Sequence, residues 1–234
     1  METAKKNVYL FGDSIAKGII FDDIMGKYTY LKNNFASAAA DANNVILNNN
    51  SRFGCTVIKG QEIISRVLKY LKKEITIDYA FLEFGGNDCD FNWNEVSLNP
   101  SASHKPNTPL DEFIRIYKSI IEDLKKHGIT PVIMTLPPIA SDLYYNWISK
   151  NNPLKNNILA WLGGNIENIY YWHERYNSAI WEVAVKTRSL IIDIRKAFLE
   201  EKNYKQFLCA DGIHLNQAGH ILVEKSINYL ITEQ

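Results

Sequence analysis

Asn7-Val-Tyr-Leu-Phe-Gly-Asp-Ser-Ile-Ala-Lys-Gly18 passes from an unbroken apolar run into a Gly-Asp-Ser turn and then into residues of helical character. A short apolar run without alternation, bounded by turn residues, reads as a strand buried on both faces, and a helix straight after it begins a parallel strand-helix unit. Further runs of this kind lie at Asn44 to Asn48, Asp78 to Phe84, Thr130 to Leu136 and Ser189 to Ile194. Helical periodicity fills the gaps. Leu110, Phe113, Ile116, Tyr117, Ile120, Ile121 and Leu124 form one apolar stripe, closed by His127 and Gly128 with Pro131 beyond, the expected stop before a new strand. Similar stripes run through Trp172, Tyr176, Ile180 and Ala184, and through Val223, Ile227, Leu230 and Ile231. Strands alternating with helices predict an α/β fold, a doubly wound sheet of about five parallel strands. A length of 234 residues suits one domain over the whole chain.

Bulk composition narrows the function. Hydrophobic residues make up 46% and charged residues 22%, as in ordinary globular proteins. Twenty-six basic residues balance 26 acidic ones, and no stretch is dense in Lys and Arg, so a nucleic-acid partner is not expected and a small molecule is. No apolar run approaches the roughly 18 residues that span a bilayer, so no membrane partner is expected either. METAKKNVYLFGDS leads straight into the first strand, leaving no room for a leader, and a cytoplasmic location follows as an expectation. Cys55, Cys89 and Cys209 lack CxxC spacing, which points to reduced thiols and to no metal. All three fall within two residues of a candidate site residue, so a metal cluster remains conceivable at this stage. Nothing in the sequence sets the oligomeric state.

Two stretches break the strand-helix rhythm: 89–108, polar and rich in Asn, Ser and Pro, and 137–165, unusually aromatic. Long connections in compact domains are uncommon unless functional, so both are candidate walls or lids of a site. Tyr144, Tyr145, Trp147, Trp161 and Trp172 could equally bury their rings in a small accessory core.

Candidate chemistry collects at strand ends. Ser14 follows the first strand, where a hydroxyl can stand at the carboxyl edge of a parallel sheet beside a free backbone amide. Gly, Asp and Ser are also ordinary turn and cap residues. Asn50 to Gly54 follows the second strand and Gly85-Gly86-Asn87-Asp88 the third, offering close backbone approach at Gly54 and a side-chain NH2 at Asn87 for a developing oxyanion; either could be a plain turn. Asp211-Gly212-Ile213-His214 precedes the last helix. A carboxylate three residues before a histidine can accept its Nδ1 proton and leave Nε2 to take a proton from a serine. The remaining histidines have other readings: His127 at a helix end, His104 in the polar loop, His173 on an amphipathic helix and His220 inside the last helix.

FGDSIAKG (Phe11 to Gly18), NSRFGCT (Asn50 to Thr56), GGND (Gly85 to Asp88) and DGIHLN (Asp211 to Asn216) together resemble, in order, the characteristic blocks of the GDSL/SGNH hydrolase family. Ile15 stands where the family usually has Leu, a conservative departure. The resemblance implies Ser14 as nucleophile, His214 as base, Asp211 as its orienter, and an oxyanion hole from the amides of Ser14 and Gly54 with the Asn87 side chain. It implies a flavodoxin-like three-layer α/β/α sandwich without metal or cofactor. Asp13 and Asp88 are then supporting carboxylates that accept hydrogen bonds and stiffen their turns. The expected activity is hydrolysis of an ester, with a short-chain or acetyl ester of a carbohydrate or other polar small molecule favoured because the aromatic insertion offers faces for ring stacking. Thioesterase or lysophospholipase activity is the alternative within the family. A non-catalytic flavodoxin-like binding module is the alternative outside it, although no GxGxxG or GxxxxGK[ST] supports one.

Overall fold

The computed structural model describes residues 5–71 and 75–232, with the backbone alone for 229–232. In chain order its elements are β1 (Asn7–Gly12), α1 (Ser14–Lys17), β2 (Ile19–Asp22), β3 (Lys27–Tyr30), α2 (Phe35–Ala42), β4 (Ile46–Asn49), α3 (Val57–Tyr70), β5 (Tyr79–Glu83), α4 (Trp93–Leu98) and α5 (Leu110–Lys126). There follow β6 (Thr130–Met134), α6 (Ser141–Ser149), α7 (Lys155–Trp161), α8 (Asn168–Thr187), β7 (Leu190–Ile192), α9 (Ile194–Leu199), a 3₁₀ turn (Tyr204–Phe207) and α10 (Gln217–Thr232).

The central sheet has five strands in the order β4-β1-β5-β6-β7, all parallel. Counting only its own strands this is 2-1-3-4-5, the flavodoxin-like winding, and the strand order reverses between β1 and β5. Alternation across the sheet explains the unbroken apolar runs. Phe11, Leu82 and Ile133 enter one core with α3, α5 and α8, while Leu10, Val132 and Met134 enter the other with α2, α9 and α10. Helices on both faces make the three layers of an α/β/α sandwich.

The two edge strands depart from the buried reading. β4 begins at Ile46, since Asn44 holds a positive φ of 52° in the turn leaving α2, and Ile46 is exposed on the sheet edge. β7 keeps only Leu190–Ile192, with Leu190 exposed. An apolar run therefore marks a strand here without guaranteeing cover on both sides. The stripe on α10 holds for Val223 and Ile227, both buried, while the Leu230 and Ile231 side chains lie outside the described residues. β2 and β3 form an antiparallel hairpin that the strand reading passed over.

Both irregular stretches carry short helices, α4 in one and α6 and α7 in the other. They build a third cluster from Trp93, Val96, Ile139, Tyr144, Ile158, Leu162 and Ile169. Tyr145 and Trp161 pack against it from its margin.

Candidate active site

Ser14 opens α1 where β1 ends, on the β1 side of the point where strand order reverses, and Asn87 follows β5 on the other side. Ligands bind in that crevice in open α/β sheets. Gly12 is required at the turn, because a Cβ there would lie 2.6 Å from Ala16 Cβ and 2.8 Å from the Glu83 carbonyl oxygen. Asp13 caps α1, its Oδ1 accepting from Ile15 N at 2.8 Å. Its Oδ2 accepts from Asn87 Nδ2 at 2.7 Å, tying the two turns together and leaving the second amide hydrogen of Asn87 unused. Asp88 makes the matching tie. Both its oxygens accept from Val57 N, at 3.0 and 3.1 Å, at the start of α3 where Thr56 supplies no side-chain cap. The loop of Phe53 and Gly54 is thereby fixed against that of Asn87, and burial pushes the Asp88 carboxyl up to about 7.

Glu83 lies beneath this arrangement, opposite Gly12 in the register of β1 and β5. It is fully buried, its Oε2 accepts from Asp13 N at 3.4 Å, and its Oε1 has no hydrogen-bond partner among the described residues. Burial, and then the neighbouring Asp13 charge, holds Glu83 well above the usual carboxylate range, while burial also raises Asp13. Each of these two adjacent carboxylates in a dry site opposes the ionisation of the other.

Asp211 and His214 arrive on the same edge from the loop before α10. Asp211 Oδ1 accepts from the backbone amides of Ile213 and His214, both at 3.0 Å, a tight turn in which Gly212 adopts φ 74°. A side chain at Gly212 would meet the Ala140 carbonyl at 2.8 Å. Asp211 Oδ2 lies 2.6 Å from His214 Nδ1, and His214 Nε2 lies 2.8 Å from Ser14 Oγ. A carboxylate only accepts, so Nδ1 carries the proton and Nε2 presents its lone pair to the Ser14 hydroxyl. Burial alone would raise the Asp211 carboxyl; the hydrogen bond and charge of His214 and the two backbone amides outweigh it, and the group sits below its ordinary range.

The hairpin contributes to this site. Tyr28, on β3, donates its hydroxyl to Asp211 Oδ2 at 3.0 Å, and its ring lies 4.9 Å from the His214 ring. Phe53 stacks on His214 from another side, 5.9 Å between centroids and 13° between planes. Trp147 packs edge-on against Phe21 at 4.7 Å and against Tyr28 at 6.3 Å, bracing the hairpin against α6.

Ser14 and His214 line a cavity of about 280 Å³. Asp13, Asn87 and Gly86 line it with Phe53, Phe91, Trp93, Tyr144, Trp147 and Trp172, so the aromatic insertion divides between cavity wall and accessory core. Gly54 is not among the lining residues. It follows Phe53 with φ 64°, and neither its amide nor that of Ser14 has an acceptor among the described residues. A larger apolar groove of about 430 Å³ lies on the sheet face beneath α2 and includes neither Ser14 nor His214, so chemistry and not volume locates the site.

The family matches. GDSL-like lipase/acylhydrolases match residues 10–222, nearly the whole chain. The chain belongs to the GDSL-like lipase/acylhydrolase family. It is accordingly a carboxylic ester hydrolase by class. Among solved structures it is similar to the lipase/acylhydrolase from Enterococcus faecalis, at 19% identity and a TM-score of 0.67, covering 97% of this chain and 96% of that one. A member of the lipolytic G-D-S-L family from Veillonella parvula gives 17% identity and a TM-score of 0.67 over 98% and 100% of the two chains. A catalytic mutant of an acetylxylan esterase from Geobacillus stearothermophilus gives 18% and 0.62 over 99% and 96%. At these identities the likeness is one of fold. No curated protein matches the chain.

Several residues of this GDSL-family site escape the sequence reading. Tyr28 rides on a hairpin whose signals, the apolar Ile19-Ile-Phe and the alternating Lys27-Tyr-Thr-Tyr around a turn at Gly26, are present but short. Glu83 ends a strand that reads as wholly apolar, and a lone carboxylate in such a run is the signal that could have revealed it. His173 lies on α8 as expected but is buried and lines the cavity. The other histidines are accounted for locally. His127 Nδ1 reaches the Asp123 carbonyl at 2.8 Å at the end of α5, His104 Nε2 reaches Asn99 O at 2.9 Å, and buried His220 stacks on Phe35. Burial pushes the Cys55 and Cys209 thiols up to about 11 and Cys89 well above its usual value, so all three stay protonated near neutrality. No group of three His, Cys, Asp or Glu side chains is placed to hold a metal among the described residues. None of the described helices is long and apolar enough to cross a membrane.

Proposed function

We propose that the chain, as one domain, hydrolyses short acyl esters, acetate foremost, of a carbohydrate or comparably polar alcohol through an acyl-enzyme on Ser14. The observation that carries this is the chain of contacts from Ser14 Oγ to His214 Nε2 at 2.8 Å and from His214 Nδ1 to Asp211 at 2.6 Å. Ser14 Oγ attacks the ester carbonyl as its proton passes to Nε2. The resulting oxyanion is held by the Ser14 and Gly54 amides and the free hydrogen of Asn87 Nδ2. Collapse expels the alcohol, which takes the proton from His214. Water then attacks the acyl-enzyme with His214 as base again, releasing the carboxylic acid and restoring the Ser14 hydroxyl. Asp211 keeps the Nδ1 tautomer and balances the imidazolium. Asp13 aims Asn87, and Asp88 holds the Gly54 loop.

Cavity size supports the short acyl group. At about 280 Å³ it falls below the range that encloses drug-sized ligands, and a long-chain thioester or lysophospholipid would need a longer apolar groove continuous with Ser14. Aromatic walls suit the face of a sugar ring. Labelling by a fluorophosphonate, abolished in Ser14→Ala, tests the nucleophile; a folded wild-type protein that resists labelling refutes it. A p-nitrophenyl ester series tests the acyl group. Activity should be greatest at acetate, and activity that climbs with chain length defeats the short-acyl reading.

A further inference from the structure

Within this cavity, His173 is a buried side chain with no assigned task. It is 3% exposed, and its Nδ1 has no hydrogen-bond partner among the described residues. Burial, with the nearby Arg195 charge, drives its pKa down to about 3, so the ring is neutral and offers one N–H and one lone pair. Nδ1 is fully enclosed. An enclosed orphan N–H is rarer and more costly than an enclosed lone pair, so the proton belongs on Nε2, the nitrogen left to address the cavity. Asp90 lines the same cavity and supplies the complement. Its Oδ1 accepts from Trp93 Nε1 at 2.8 Å, and the Tyr144 hydroxyl and the Phe91 amide also hold the carboxylate, which fixes it and still leaves a lone pair to spare.

We propose that His173 and Asp90 form a hydroxyl-recognition subsite for the alcohol half of the ester, so that the enzyme selects polyhydroxylated alcohols over equally shaped apolar ones. A hydroxyl group both accepts, as His173 Nε2–H requires, and donates, as Asp90 requires, while the rings of Trp93 and Trp172 cover the apolar face of the same alcohol. This deepens the esterase reading and rests on it for the placement of the ester at Ser14.

A matched pair of acetates tests it: the monoacetate of a methyl pentopyranoside, and oxanyl acetate, which keeps the ring and the ester and lacks the hydroxyls. In wild type the ratio of kcat/KM values should favour the hydroxylated acetate by about tenfold or more, the range of one or two neutral hydrogen bonds. His173→Leu should cut that ratio about tenfold, and His173→Gln, which keeps an N–H donor, should restore part of it. Equal loss on both substrates marks a purely structural histidine and overturns the proposal, as does a wild-type ratio near one. If neither acetate nor p-nitrophenyl acetate is turned over, the esterase reading fails by itself. Binding of the free methyl pentopyranoside, followed by tryptophan fluorescence in wild type and His173→Gln against His173→Leu, then decides the subsite, and binding indifferent to His173→Leu refutes it.

Discussion

Replacing Asp211 by Asn changes one oxygen to NH2 at nearly constant shape, and the hydrogen bonds dictate where that NH2 goes. Oδ1 accepts from two backbone amides at 3.0 Å, whereas Oδ2 accepts from His214 Nδ1 at 2.6 Å and Tyr28 at 3.0 Å. If the remaining oxygen stays against the amides, the NH2 faces Nδ1 and forces the proton onto Nε2. His214 then confronts Ser14 with a hydrogen where a lone pair is needed. The other rotamer restores the tautomer but sets NH2 against two backbone N–H groups in a fully buried site. Two lost hydrogen bonds of about 1 kcal/mol each, plus the penalty of leaving their donors unsatisfied, make that escape cost roughly 3 kcal/mol or more. The expected loss in kcat is therefore between about 10² and 10⁴-fold, the upper end being that of a wrong-tautomer triad. Initial rates on p-nitrophenyl acetate measure it, with the melting temperature reported alongside. A well-folded Asp211→Asn protein within about tenfold of wild type would refute the assignment of Asp211 as the group that sets the tautomer.

Tyr28→Phe removes one hydrogen bond to the Asp211 charge and keeps the ring beside His214; because Tyr28 is only half-buried, the effect should lie at the low end for a charged partner, about tenfold in kcat/KM, and full activity would deny the hairpin a role in positioning the triad. Asp88 binds its proton more tightly folded than unfolded, its pKa being moved from 3.8 to about 7, so it should make stability fall as pH rises through that window, by up to ~4 kcal/mol. Asp88→Asn, which can still accept from Val57 N, should flatten that slope in urea unfolding between pH 4.5 and 7.5 (roughly the window's limits), and an unchanged slope would contradict the burial effect. Gly12→Ala drives a methyl against the Glu83 carbonyl, which should cost about 1–3 kcal/mol and lower turnover by displacing Ser14; an unchanged melting temperature and rate would show that the turn has room to give.

Much of this site was legible because its parts are local. A Gly-Asp-Ser turn after an apolar run, Gly-Gly-Asn-Asp after another and Asp-x-x-His before the last helix each specify a backbone geometry within a few residues, and strand alternation sends their loops to one edge. Asp13 and Asp88 accept backbone hydrogen bonds in their turns, and Asp13 also holds Asn87, a contact across 74 positions. Glu83 could not be read, since its burial and its coupling to Asp13 exist only once β5 lies beside β1. Tyr28 was missed because a four-residue strand gives little periodicity, and His173 because its helix face was taken as local when the cavity is walled by α4, α6 and α8 together.

The sequence by itself determined the order of strands and helices, the short-range turns and which side chains are candidates for moving a proton. Tertiary structure alone decided the edge strands' exposure, the tie of Tyr28 to Asp211, the division of the tryptophans between wall and core and the isolation of His173. The physical reason is range: turn chemistry and periodicity act within a few residues, whereas burial, charge coupling and cavity shape depend on which distant segments pack together.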